Sequence, residues 1–156
     1  MSNAQHLKNL GSQKTQYEYD RPDYTQLETF PYEAGAIRQV VGFKTDEFTS
    51  LCPKTGQPDF ASIDIAYIPD ELGVESKSLK LYLFRYRNHG SFHEDCMNKI
   101  AEDLVKVLNP LWLRVVGDFT RRGGIAIKPI SIYTKEGYTL DESMIRQYDT
   151  FNFTRP

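Results

Sequence analysis

Between Phe92 and Leu108 the apolar residues Phe92, Met97, Ile100, Ala101, Leu104, Val105 and Leu108 fall on one face of a helix. No other stretch restricts the fold as strongly. Ser91, followed three residues later by Glu94, reads as a capping box at the helix start, and Asn109-Pro110 ends it. A helix with so wide an apolar stripe must lie on an apolar surface, and its neighbours in the chain supply one. ASIDIAYIP (61–69) alternates Ile63, Ile65 and Tyr67 with Ser62, Asp64 and Ala66, the period of a strand. IRQVVGFKTDEF (37–48) is a second strand, joined to it as an antiparallel hairpin by a long connection through Cys52. LWLRVVGDFT (111–120) and GIAIKPISIY (124–133) are two more, around the turn Arg121-Arg122-Gly123.

ESKSLKLYLFRYRNHG (75–90) fits either period, but its length and lack of β-branched residues favour a helix. The order is then ββααββ, an α+β domain whose antiparallel sheet carries two helices on one face. Residues 1–33 are polar and aperiodic and read as an N-terminal arm, leaving 34–156 as a single domain, with a short helix over Asp141 to Tyr148.

Composition narrows the function. The 156 residues are 40% hydrophobic and 26% charged, as in a soluble globular domain. Nineteen basic against 21 acidic residues, a formal charge of -2, argue against direct nucleic-acid binding. No apolar run approaches a membrane span, and the N-terminus has no apolar signal core, so the expected location is cytoplasmic. Ten Tyr and nine Phe suit a planar-ligand pocket or a subunit interface, and equally ordinary packing.

The cysteines, Cys52 and Cys96, form no CxxC pair and are expected as thiols in a reducing compartment. Cys52 sits where a strand gives way to the loop of FTSLCPKTGQPDF (48–60), and Asp59 follows seven residues later. A thiol beside a carboxylic acid suits nucleophilic attack with proton transfer, whereas an inert cysteine and a turn aspartate are the plainer alternative. His93 and Glu94 open the long helix, where a carboxylate can accept the paired N–H donors of a planar heterocycle or simply complete the capping box. His89, His93, Cys96 and Cys52 could also be combined as a Cys2His2 zinc set, although Gly90 interrupts the helix between the two histidines. Lys77, Lys80, Arg85 and Arg87 form one basic cluster. Arg121-Arg122-Gly123-Gly124 forms another, on a turn whose glycines permit close approach of phosphates. There is no GxGxxG motif and no P-loop.

LCPKTGQPDF, ESKSLKLYLF, FHEDC and RRGGI, in this order and at this spacing, resemble the NADPH-dependent 7-cyano-7-deazaguanine reductases of queuosine biosynthesis, in their short single-module branch. The resemblance runs from about Phe48 to Pro129. It implies a tunnelling fold assembling into a multi-subunit barrel of two face-to-face pentamers with active sites between neighbours. It implies Cys52 as the nucleophile that forms a covalent thioimide and Asp59 as the proton donor. Val74, Glu75, Ser76, His93 and Glu94 would bind the deazapurine, Ser76, Lys77, Arg122 and Gly123 would meet NADPH, and no catalytic metal is implied. Ala126 and Lys128 depart from the Asp and Asn the family more often carries there. Cys96, so close to His93 and Glu94, is expected near Cys52 and able to form a disulfide with it, or else to be a core residue. Two other readings share these residues: a zinc-dependent GTP cyclohydrolase-like enzyme using Cys52, His93 and Cys96, and a non-catalytic purine- or pterin-binding module.

Overall fold

The computed structural model describes residues 6–8, 17–33 and 35–153. Its elements are β1 (Thr29–Pro31), β2 (Val41–Leu51), β3 (Pro58–Ile68), β4 (Leu72–Val74), α1 (Ser76–Phe84), α2 (His93–Leu108), β5 (Trp112–Phe119), β6 (Ile130–Thr134) and α3 (Glu142–Phe153). β2, β3, β5 and β6 form one antiparallel sheet in that order, the core of the expected ββααββ arrangement. β1 and β4 make a separate two-stranded ribbon. Residues 24–31, assigned to the arm in the sequence reading, hold a 3-10 turn, the buried Leu27 and β1.

The alternation of β3 builds the core. Ala61, Ile63, Ile65 and Tyr67 pack under α1 and α2 with Leu79, Tyr82, Met97, Ile100, Leu104 and Leu113. Each such side chain taken fully out of water contributes roughly 1.5–3 kcal/mol, which fixes α2 on the sheet. Ala66, Ile68 and Trp112 belong to a second cluster with Tyr138, Leu140, Ile145 and Tyr148, so α3 covers one end of the opposite face. This helix is longer than the sequence reading allowed. Its Tyr148 hydroxyl lies where a Cβ on Gly42 would stand.

Three local differences from the sequence reading have physical causes. β2 starts at Val41 and reaches Leu51, and its register shifts between Thr45 and Phe48. Before the shift, odd-numbered positions are the more buried. After it, Phe48 and Ser50 are, and Cys52 follows in the same parity. Such a bulge re-aims side chains, and here it turns the end of β2 towards α2.

The capping box does not form. Phe92 is the N-cap of α2 with no side-chain hydrogen bond, because Ser91 is drawn into contact with β2. Its N–H donates to the Leu51 carbonyl, while the Leu51 N–H donates to His89. The cap appears on α1 instead, where the Glu75 carboxylate accepts from the N–H groups of Lys77 and Ser78 at 2.8 and 2.7 Å.

Finally, residues 125–129 run beside β5 with the backbone hydrogen bonds Phe119 to Ile127 and Gly117 to Pro129 in place of a regular ladder. Pro129 has no N–H to donate, and the regular strand begins at Ile130. α2 ends at Asn109, left-handed at φ 44°, its N–H donating to Val105.

Candidate active site

The β2–β3 connection closes tightly on Cys52. The Cys52 N–H donates to the Gln57 carbonyl at 2.8 Å, and the Gly56 N–H donates back to the Cys52 carbonyl at 2.9 Å. Gly56 sits at φ 68°, a conformation open to glycine at little cost. This winding directs Thr55 and the backbone of Lys54 and Thr55 at the thiol. The Thr55 hydroxyl, followed by these N–H groups, holds the half-buried Cys52 thiol down to about 7, with a smaller contribution from Arg122. Near neutrality a substantial part of it is thiolate, the form that attacks carbon.

Asp59 continues the inward parity of β3 and is only 4% exposed. Two cationic or ionisable partners converge on its Oδ1, His93 Nε2 at 3.1 Å and an Arg122 guanidinium nitrogen at 2.5 Å. The same guanidinium donates to the carbonyls of Pro58 at 3.1 Å and Gln57 at 3.4 Å, tying the β5–β6 turn to the Cys52 loop. That turn is a two-residue hairpin in which Arg122 and Ile125 exchange both N–H···O bonds. Gly123 and Gly124 fill it at φ 55° and 79°, the values that a primed turn demands. The His93 ring is stacked on Phe119, with centroids 4.0 Å apart and planes 15° from parallel, which fixes its orientation.

Cys96 lies one turn of α2 below, 1% exposed, its thiol pushed up to about 11 by burial against a smaller lowering from Ser50 and Ser91. Both thiols are free.

The structure therefore brings Cys52, Asp59, His93 and Arg122 together, with Gly123 beside Arg122 and the exposed Glu94 beside His93. It does not bring them to Val74, Glu75, Ser76 and Lys77. α2 is roughly 24 Å long; its first residue meets Asp59, whereas Ile68 and Trp112, paired at the far end of the sheet, lie beyond its last. Val74 belongs to that far end, its N–H held at 3.1 Å by the Tyr67 hydroxyl. The two groups stand on the order of 25 Å apart along β3, at about 3.3 Å per residue. Ser76 and Lys80 instead border a cleft of about 230 Å³ between β2 and α1, lined by Phe43, Phe48, Leu79 and Leu83.

The zinc reading finds no support in this geometry. Among the described residues no three His, Cys, Asp or Glu side chains are placed to hold a metal ion, and His93 is committed to Asp59 and Phe119. Nor, among them, is any helix long and apolar enough to cross a membrane. Sequence reasoning missed that Arg122 and His93 both address Asp59. The available signal was the β3 alternation, which, extended back from Ile63 through Ala61, points Asp59 at the helix layer.

Residues 58–138 match the family model described as QueF-like protein. The chain is 54% identical over 133 residues to the NADPH-dependent 7-cyano-7-deazaguanine reductase of Bacillus pumilus, covering 85% of this chain and 80% of that one. It is 57% identical to the Bacillus subtilis reductase of the same name over 129 residues (82% and 77% of the two chains). Against the Streptococcus thermophilus reductase it is 55% identical over 136 residues (85% and 83%). Among solved structures, the apo archaeosine synthase QueF-Like superposes with a TM-score of 0.57 at 21% identity, over 60% of this chain and 92% of that one, which establishes a shared tunnelling fold. On sequence and fold together, the chain belongs to the family of NADPH-dependent 7-cyano-7-deazaguanine reductases.

Proposed function

We propose that this chain reduces the nitrile of 7-cyano-7-deazaguanine to the 7-aminomethyl compound with NADPH, a step of queuosine biosynthesis, in the cytoplasm. The observation that carries the reading is the Cys52 thiol, held down to about 7 beside a buried acid that His93 and Arg122 both address. A nitrile carbon is a weak electrophile, and a covalent adduct divides its four-electron reduction into feasible steps.

Cys52 sulfur bonds to the nitrile carbon while its proton passes through Asp59 to the nitrogen, giving a thioimide. NADPH supplies the hydrides, one for each of two reductions. Each reduction also consumes a proton, for which Asp59 and His93 are the placed relay. The sulfur leaves between the two, so Cys52 is regenerated. Glu94, freed of any capping duty, is available to accept the ring N–H donors of the deazapurine.

The turn of Arg122 and Gly123 suits a phosphate-bearing cofactor. No atom lies within 4 Å of a Cβ built on Gly123 or Gly124, so a ligand can approach the backbone. Ser76 and Lys77 would serve through their side chains, since Glu75 already takes the first N–H groups of α1.

One chain does not assemble these parts. The distance between the Cys52 cluster and Val74–Lys77 favours a site shared by two subunits, the first giving Cys52, Asp59, His93, Glu94 and Arg122, the second giving Val74, Glu75, Ser76 and Lys77. The four-stranded sheet ends in β2 and β6, whose open edges suit closure into the multi-subunit barrel of two face-to-face pentamers. Oxidation would join Cys52 to Cys96 and silence the nucleophile; full activity after peroxide, with both thiols still titratable, contradicts this.

The test of the function is a turnover assay with 7-cyano-7-deazaguanine. The reading expects two NADPH oxidised per nitrile consumed and a primary amine as product. NADPH oxidation absent at every enzyme concentration overturns it.

A further inference from the structure

Residues 85–92 join α1 to α2 without forming regular structure of their own. On one side they grip the end of the strand that leads into Cys52. The Leu51 N–H donates to the His89 carbonyl at 3.0 Å, and the Ser91 N–H donates to the Leu51 carbonyl at 3.0 Å. Gly90 comes so near that a Cβ on it would stand 3.5 Å from Pro53 Cα. His93 and Glu94 follow directly, so the placement of this connector sets theirs relative to Cys52.

The connector's other side is held by the segment that precedes β1. Arg85, its side chain 15% exposed, commits all three guanidinium nitrogens there. Nε donates to Gln26 Oε1, Nη1 donates to the Arg21 carbonyl at 3.2 Å, and Nη2 pairs with Glu18 Oε2 at 2.5 Å. The Asn88 N–H adds a bond to the Tyr19 carbonyl at 2.7 Å. Glu18 is 60% exposed, so its ion pair is screened and counts least. The partly buried bond to Gln26 counts most. The same segment leads into β1, which pairs with β4, and the Glu75 N–H donates to the Glu28 carbonyl at 2.8 Å.

We propose that Arg85 is a positioning residue for the Cys52 half of the site. By tying residues 85–92 to Glu18, Arg21 and Gln26, it keeps the connector against Leu51 and holds Glu94 where the deazapurine's donors meet it. The proposal rests on the reductase reading above. Arg85 acts through the connector and not by contact with a ligand. The groups assigned to the cofactor hang on other segments, Arg122 and Gly123 on the β5–β6 turn and Ser76 and Lys77 on the first turn of α1. Loss of the Arg85 grip therefore loosens the place of the nitrile and leaves that of the cofactor. The three partners lie around one planar fork, which a lysine, with a single donor centre, cannot match.

The experiment measures KM for 7-cyano-7-deazaguanine and for NADPH in assembled wild type, Arg85→Ala, Gln26→Ala, Gln26→Glu and the double Ala variant. The proposal expects KM for the nitrile to rise roughly 2–10-fold in each single Ala variant, the worth of one or two hydrogen bonds, with KM for NADPH unchanged. The double variant should be no worse than Arg85→Ala, because both changes remove one contact. Gln26→Glu keeps an acceptor towards Arg85 and should match wild type. Gln26→Ala decides the matter if Arg85→Ala fails to assemble. An unchanged nitrile KM, additive losses, Gln26→Glu as impaired as Gln26→Ala, or equal rises in both KM values overturn the role; the last is general loosening of the fold. Wild type that turns over no nitrile removes the reductase reading itself, an outcome distinct from changes confined to the variants.

Discussion

His93 Nε2 lies 3.1 Å from Asp59 Oδ1, joining the first residue of α2 to the second residue of β3. Neither partner is near the other in sequence. The contact exists because the α2 stripe and the β3 alternation pack face to face, with Phe119 of β5 holding the imidazole flat. This contact is therefore a product of core packing, and its disturbance should be read separately from loss of fold.

Asp59→Asn keeps the shape of the side chain and removes its proton chemistry. Turnover should fall by roughly 10²–10⁴, the usual worth of a placed acid–base group, while far-UV circular dichroism and assembly stay as in wild type. A variant with intact fold and near-normal kcat would remove Asp59 from the reaction.

The Cys52 thiol is held down to about 7, first by the Thr55 hydroxyl. A lowered thiol is thiolate above that pH, so alkylation by iodoacetamide should accelerate through about pH 7 and then level off. Thr55→Val should move the midpoint upward. Cys96, buried and pushed up to about 11, should stay unmodified in the folded protein. An unchanged midpoint in Thr55→Val would contradict the role given to the loop.

A shared site predicts complementation. A Cys52→Ala subunit keeps its own Val74–Lys77 half, and a Ser76→Trp subunit keeps its own Cys52 half. Each variant alone should be inactive. Mixed and reassembled together, they should regain activity through hybrid sites. Persistent inactivity in verified mixed assemblies would place both halves within one subunit.

Gly117 sets how closely α2 approaches the sheet. A Cβ there would stand 2.8 Å from Met97 Sδ and 2.9 Å from the Phe119 ring. Gly117→Ala should cost about 1–3 kcal/mol, as overpacked cores do, seen as a lower midpoint in urea. It should also slow turnover, because Phe119 carries the His93 ring. Wild-type stability would show that α2 has slack at this point.

Much of the fold was legible because its signals are local. The α2 stripe and the β3 alternation repeat within a few residues, and the turn from Arg122 to Ile125 needs only its two glycines. The bulge in β2 was not legible, since the parity of Phe48, Ser50 and Cys52 is set by pairing with β3. The capping box failed for a related reason: Ser91 satisfies its N–H on Leu51, a partner that exists only in the folded state. Glu75 was read as a ligand-binding residue, and its role as the α1 cap was hidden because a glutamate is an uncommon cap. Of the candidate site, Cys52, Asp59 and His93 could be named from the chain. The grip of Arg122 on Asp59 could not, because it joins distant segments through a turn whose direction the sequence leaves open.

The central claim is that Cys52 adds covalently to the nitrile. Intact-mass measurement of the assembled protein, mixed with 7-cyano-7-deazaguanine in the absence of NADPH, tests it most directly. The account predicts a gain equal to one whole substrate molecule per chain, absent in Cys52→Ala. No gain in reduced, fully assembled wild-type protein, or an equal gain in the variant, would contradict it and favour a binding module on the same fold.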